Sequence, residues 1–248
     1  MTLRNIASRC YERLSNSKAA VNWRMPDIDP ETRAIFHRVA PFTMTSPERI
    51  SAVCDAVRYV SKANIPGAYV ECGVWRGGSS MAAALSLLAV GESKRHLYLF
   101  DTFEGMSTPS EHDVRAEDNL SAAALLDRSE TSDKIWCRAS IEDVSANMAL
   151  TGYPLENITF CKGKVEDTLP AQAPDEIAIL RLDTDWYEST RHELEELFPR
   201  LAPGGVLIID DYGYWAGARK AVDEYFAGQP ILLSRIDQTG RIAIKSAA

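Results

Sequence analysis

The chain has 248 residues, 46% hydrophobic and 25% charged, which fits a folded globular protein and excludes a disordered one. Its 27 basic and 35 acidic side chains leave a formal charge of −8, which argues against wholesale binding to nucleic acid or an anionic membrane. No apolar stretch is long enough to span a bilayer, Ala82–Val90 being among the longest, and the opening residues lack the apolar core of a secretory signal. The five cysteines, Cys10, Cys54, Cys72, Cys137 and Cys161, form no CxxC pair. They read as free thiols in a reducing cytosol, so the expected location is cytoplasmic and a zinc or disulfide framework is excluded.

Residues 1–65 carry helical patterns at Leu3–Leu14, Glu31–Val39 and Pro47–Ala63, broken at Pro26, Pro30 and Pro41. They are too short to bury a core alone and read as a helical cap on the same domain. From residue 66 to 248 strands and helices alternate, which implies a mostly parallel α/β sheet covered on both faces. The strands fall at Ala68–Cys72, His96–Phe100, Ile158–Cys161, Glu176–Leu182 and Gly205–Ile209, the last after a Pro203-Gly204-Gly205 turn. Helices fall at Ser79–Val90, Tyr187–Leu201 and Ala216–Phe226. Ile231–Ile236 and Arg241–Lys245, joined by Asp237-Gln238-Thr239-Gly240, predict an antiparallel hairpin at the end of the sheet. An insertion at about 104–157 interrupts the alternation, and its length fits a lid or a disordered loop.

Three stretches carry chemistry. Glu71 precedes a glycine-rich turn, Gly73-Val-Trp-Arg-Gly77-Gly78-Ser79, that leads into a helix. Glycines let a ligand approach the backbone, and free N–H groups at a helix start face it. The spacing is not GxGxxG, which disfavours a nicotinamide dinucleotide. Asp101 ends the second strand, where an acid can hold ribose hydroxyls or simply make a turn, and Gly163-Lys164-Val165 ends the third. Asp183 ends the fourth strand, and Asp210 and Asp211 end the fifth. On neighbouring strands these carboxylates crowd one volume and call for a hard cation such as Mg²⁺, unless some of them cap turns and helices. Asp185 can cap the helix near Tyr187 or join the metal ligands. The aromatics Trp186, Tyr187, Tyr212, Tyr214 and Trp215 form either a substrate wall or ordinary packing. None of the four histidines shows ligand spacing, and His192 reads as solvent-facing.

The segments PFTMTSPERI, YVECGVWRGGSS, LFDTFEGM, LRLDTDWYEST and LIIDDYGYWAGARKAVDEYF resemble the macrocin-type O-methyltransferases. That family uses S-adenosylmethionine and Mg²⁺ to methylate sugar hydroxyls of glycosylated natural products. The resemblance implies a Rossmann-like S-adenosylmethionine methyltransferase sheet. It assigns cofactor contacts to Met44, Thr45, Glu71, Gly73, Val74, Arg76, Gly77, Gly78, Ser79, Asp101, Thr102, Phe103, Gly163, Lys164 and Val165. It assigns the metal to Asp183, Asp210 and Asp211, with Asp183 also the general base. A sugar or glycoside acceptor and a homo-oligomer are the expected partners. The rival readings are a catechol-type metal-dependent O-methyltransferase, a nicotinamide-dependent oxidoreductase and a non-catalytic adenosine-ligand sensor.

Overall fold

The short apolar runs predicted as strands form one seven-stranded sheet. In the computed structural model, which describes residues 26–130 and 134–246, the strands are β1 (Ala68–Cys72), β2 (Leu97–Asp101), β3 (Ile158–Lys162), β4 (Ile177–Leu182), β5 (Leu201–Ile209), β6 (Ser234–Arg235) and β7 (Arg241–Ile244). The helix predicted at Leu3–Leu14, and Cys10 within it, lie outside the described residues. The spatial order is β3-β2-β1-β4-β5-β7-β6. The first five strands in that order are parallel, while β7 runs antiparallel to β5 and β6 antiparallel to β7. The chain leaves β1 first toward β2 and later toward β4. The β1/β4 boundary is therefore the switch point at which open α/β sheets form a crevice.

Helices cover both faces because alternate strand residues point opposite ways. Tyr69, Leu97, Leu99, Ile179, Val206 and Ile208 pack under α1 (Pro30–Val39), α2 (Pro47–Lys62) and α3 (Gly78–Ala89). Val70, Cys72, Phe100, Leu180, Leu182 and Leu207 pack on the other face, under α7 (Tyr187–Leu197) and α8 (Ala216–Phe226). Cys54, Cys72 and Cys161 are free, buried thiols. Each cap helix begins at a side-chain acceptor followed by proline. Asp29 accepts from Thr32 N at 2.9 Å in α1, and Ser46 from Arg49 N at 3.2 Å in α2.

Two strand predictions need correction. The Pro203-Gly204-Gly205 segment is not a turn before β5 but a bulge inside it. Ile177 pairs with Leu201, yet Ile179 already pairs with Val206. The extra residues stay in the sheet because Gly204 N donates to Lys245 O and Lys245 N to Gly205 O, both at 2.8 Å. The strand expected at Ile231–Ile236 shrinks to two residues. It is the sheet edge, where short strands are the rule, and Pro230 offers no N–H just before it.

The insertion contributes α4 (Ala122–Asp127) and α5 (Ile141–Ala149), and α5 packs on α3. The four-residue α6 (Val165–Thr168) follows β3. A bridge Val114↔Ser121 folds the insertion on itself, and Arg115↔Trp215 ties it to the loop after β5. Ala122 and Leu126 pack there with Trp186, Trp215 and Ala218.

Candidate active site

The C-terminal ends of the parallel strands open into a cavity of about 1700 Å³. Drug-sized pockets run to roughly 1,000 Å³, so the space suits two ligands at once. Nine carboxylates and three basic side chains line it, which favours cationic occupants.

Its floor is the glycine turn. Gly73 sits at φ +83°, and a Cβ there would lie 2.0 Å from the Asp183 carbonyl oxygen. Only glycine lets the two strand ends meet, and Asp183 N accordingly donates to Cys72 O at 2.8 Å. A Cβ on Gly78 would meet Thr43 at 2.5 Å, so the cap segment lies directly on the start of α3 and brings Met44 and Thr45 to the cavity. Asp101 fixes the turn's shape. Its Oδ2 accepts from Val74 N at 2.7 Å and Trp75 N at 3.0 Å, and its Oδ1 from Phe103 N at 2.7 Å. Burial raises the Asp101 carboxyl above its ordinary range, opposed by these N–H donors.

Twelve of the predicted cofactor residues line the cavity: Met44, Thr45, Glu71, Gly73, Val74, Gly78, Ser79, Asp101, Thr102, Gly163, Lys164 and Val165. Arg76, Gly77 and Phe103 do not. Arg76 pairs with Asp143 at 2.9 Å and stacks on Phe42 at 5.2 Å. Gly77, at φ +87°, faces Val144 and Met148 and serves as the left-handed entry to α3. Phe103 is buried against Phe160 and contributes only its backbone N–H.

Asp183, Asp210 and Asp211 come together as the strand order requires, with one oxygen from each within 4.8 Å of the others. Beneath them lies Arg181, 1% exposed. Its Nη1 donates to Glu71 Oε1 at 2.6 Å and Asp183 Oδ2 at 2.7 Å, and its Nη2 to Asp210 Oδ1 at 2.5 Å. Glu71 is thus held by protein donors, Tyr69 Oη and Ser80 Oγ serving its other oxygen. Arg49, from α2, pairs with Asp210 and reaches Asp237 at 3.0 Å. Burial pushes Asp183 well above the usual carboxylate range, and Asp210 and Asp211 add to it against the pull of Arg181. Burial likewise pushes Asp211 up strongly, helped by Asp185 and Asp210. Burial raises Asp210 too, but Arg181 and Arg49 outweigh it and hold that carboxyl low. Asp211 Oδ2 is buried with no hydrogen-bond partner. An orphaned carboxylate oxygen beside two more, with only oxygen donors, fits a hard divalent cation.

Asp185 is not a helix cap. It adopts φ +70° and accepts from Trp215 Nε1 at 2.7 Å, while burial, then Asp183, pushes its carboxyl up to about 7. The cap is supplied by Asp113 of the insertion, whose Oδ1 accepts from Tyr187 N at 2.8 Å. Trp186, Tyr214 and Trp215 line the cavity, with edge-to-face Trp186–Trp215 and Tyr214–Trp215 contacts at 5.1 and 5.0 Å. Tyr187 and Tyr212 do not, since their hydroxyls bond Glu224 and Asp223. His192 is not simply solvent-facing, because its Nε2 is buried without a partner.

The sequence reading passed over Arg49 and Arg181. The signal for Arg181 was present, as an arginine inside the apolar run of β4 must find carboxylates once buried.

Residues 3–243 match the family described as macrocin-O-methyltransferase (TylF). The chain is 35% identical over 223 residues to an 8-demethyl-8-(2,3-dimethoxy-alpha-L-rhamnosyl)-tetracenomycin-C 4'-O-methyltransferase of Streptomyces olivaceus, covering 87% of this chain and 80% of that one. It is 32% identical over 185 residues to a mycinamicin III 3''-O-methyltransferase of Micromonospora griseorubida, covering 74% and 69%. The solved structure of the O-methyltransferase NovP superposes with a TM-score of 0.72 at 31% identity, over 83% of each chain. The match removes the oxidoreductase and sensor readings, and the chain belongs to the macrocin O-methyltransferase family.

Proposed function

We propose that this O-methyltransferase moves the methyl group of S-adenosylmethionine to a sugar hydroxyl of a small-molecule acceptor, with Mg²⁺ held by Asp183, Asp210 and Asp211. The carrying observation is the carboxylate trio set against the glycine turn in one cavity. The sugar acceptor is drawn from the relatives, whose names specify methylation on glycosylated compounds.

Bound S-adenosylmethionine supplies a methyl already activated as a sulfonium, so the protein's work is mainly alignment. The glycine turn, Met44, Thr45, Thr102 and Gly163-Lys164-Val165 hold the cofactor, and Asp101 shapes the turn that faces the ribose. A divalent cation on the trio supplies the Lewis acidity that an aliphatic hydroxyl, a poor nucleophile at neutral pH, requires. Asp183 accepts the hydroxyl proton at Oδ2, the oxygen oriented by Arg181. Its side chain is 28% exposed toward the cavity, against 5% for Asp210, which leaves Asp183 within reach of an acceptor. Trp186, Tyr214 and Trp215 present apolar faces to the acceptor and keep water from the reacting atoms. Among the described residues no helix is long and apolar enough to cross a membrane.

The test is methyl transfer from labelled S-adenosylmethionine across a panel of rhamnosides, other glycosides and catechols, with Asp183→Asn beside the wild type. Turnover on glycosides is expected, and it is expected to be lost in Asp183→Asn even at Mg²⁺ concentrations that saturate the weakened site. Preference for catechols would replace the sugar acceptor, and near-full turnover by Asp183→Asn would remove the base assignment. Self-association belongs to the same proposal, and a light-scattering mass near 27.5 kDa would remove it.

A further inference from the structure

Tyr212 follows directly on Asp211 and sits between two arginines, with a third beside one of them. The Arg241 guanidinium lies 4.7 Å from its ring centre and that of Arg219 5.6 Å. Arg219 Nε also donates to the Tyr212 carbonyl at 3.1 Å. Arg235 stands directly opposite Arg241 in the antiparallel β6–β7 pair, so both side chains leave the same face. Like charges directly opposed weaken such a pair. The nearby acids are committed elsewhere. Asp223 accepts from the Tyr212 hydroxyl at 2.8 Å, and Asp237 serves Ser46, Thr239 N, Gly240 N and Arg49. Among the described residues, no carboxylate lies within ion-pair distance of Arg219, Arg235 or Arg241. Burial, then the Arg235 charge, with Arg219 contributing, holds the Arg241 guanidinium below its ordinary range.

A chain with net charge −8 has acids to spare, yet it leaves this triad unneutralised. Guanidinium N–H groups match the oxygens of a phosphoryl group. Arg241 Nη1 is already bound to the Gly240 carbonyl at 2.8 Å and Arg219 Nε to the Tyr212 carbonyl, so their remaining N–H groups are the ones a ligand would take. Arg235 lines the cavity, while Arg219 and Arg241 stand behind it at the rim, outside the lining. The carboxylate trio repels an anion from the cavity floor, which leaves the rim as its place.

We propose that Arg219, Arg235 and Arg241 form an oxyanion subsite at the rim of the cavity that takes a phosphoryl group of the acceptor. Only the attachment of that group to the acceptor rests on the function proposed above. The anion site itself stands on the arginine geometry. In a bound acceptor the anion at the rim and the hydroxyl at the carboxylates fix the two ends of the molecule, so the triad selects which hydroxyl is presented.

The test is calorimetric titration of inorganic pyrophosphate into the metal-free full chain. Arg241 is 8% exposed and its loss endangers the fold, so Arg219→Gln and Arg235→Gln are the variants used. Lys62→Gln, at the opposite end of α2 from Arg49, is the control. Saturable binding is expected, weakened about tenfold in each arginine variant and unchanged in the control. No saturable binding, or binding indifferent to Arg219 and Arg235, overturns the subsite. Tighter binding of malonate than of pyrophosphate overturns the phosphoryl assignment. UDP-glucose, added with S-adenosylhomocysteine present, is expected to displace pyrophosphate. Failure to displace it overturns the attachment to the acceptor while leaving the methyltransferase reading intact.

Discussion

A single nitrogen of Arg181, Nη1, donates to Asp183 Oδ2 at 2.7 Å and to Glu71 Oε1 at 2.6 Å, joining the proposed base to the buried end of β1. The other nitrogen, Nη2, holds Asp210. One buried guanidinium therefore orders three acids drawn from three strands. Removing it leaves Glu71, 1% exposed, without a counter-charge. Breaking a buried pair from one side costs ~3–5 kcal/mol. Arg181→Met is expected to lose stability of that order in urea unfolding. The double variant with Glu71→Gln is expected to lose less than the sum of the two single changes. Strict additivity would contradict the coupling.

Arg49 places a positive charge on Asp210 and competes with any cation the trio holds. Arg49→Gln is expected to bind Mn²⁺ about tenfold more tightly than the wild type, read by calorimetry or by the loss of free-ion spin resonance. Equal or weaker affinity would show that Arg49 mainly orients Asp210.

Asp101 accepts three backbone N–H bonds, and an amide can serve only one side of that set. Asp101→Asn is expected to cost about 1–3 kcal/mol and to weaken S-adenosylmethionine binding about tenfold. Unchanged melting and affinity would mean the glycine turn keeps its shape without the carboxylate.

Glu193 is fully buried in α7, with Oε1 accepting from Thr184 Oγ1 at 2.8 Å and Oε2 without a partner. Burial pushes its carboxyl well above the ordinary 4.5. A carboxyl raised on folding stabilises the fold fully below its unfolded pKa and loses that contribution as pH rises. Glu193→Gln is therefore expected to gain melting temperature relative to the wild type between about pH 5 and pH 8. A gap that stays constant or narrows would contradict the assignment.

The sheet was legible because each strand is a short apolar run ended by a charge or a glycine, and the 237–240 turn marked the antiparallel end. The convergence of Asp183, Asp210 and Asp211 was legible for the same reason, since strands β4 and β5 must be neighbours once the order reverses at β1. What escaped depends on contacts between distant segments. Asp113 caps α7 from an insertion whose own course no local pattern fixes. Asp185 looked like that cap from its position alone, but its left-handed backbone turns it toward Trp215. Arg76 stood in the right motif, yet its neighbour Gly77 takes φ +87° and the side chain runs out to Asp143.

The central claim is that Asp183, Asp210 and Asp211 together hold a divalent cation beside the cofactor. Calorimetric titration of Mg²⁺ into S-adenosylhomocysteine-loaded protein tests it most directly, with Asp211→Asn as the partner experiment. One saturable site in the wild type, lost in Asp211→Asn while the loaded protein stays folded, is the predicted result. No site in the wild type, or an undiminished site in Asp211→Asn, would contradict it.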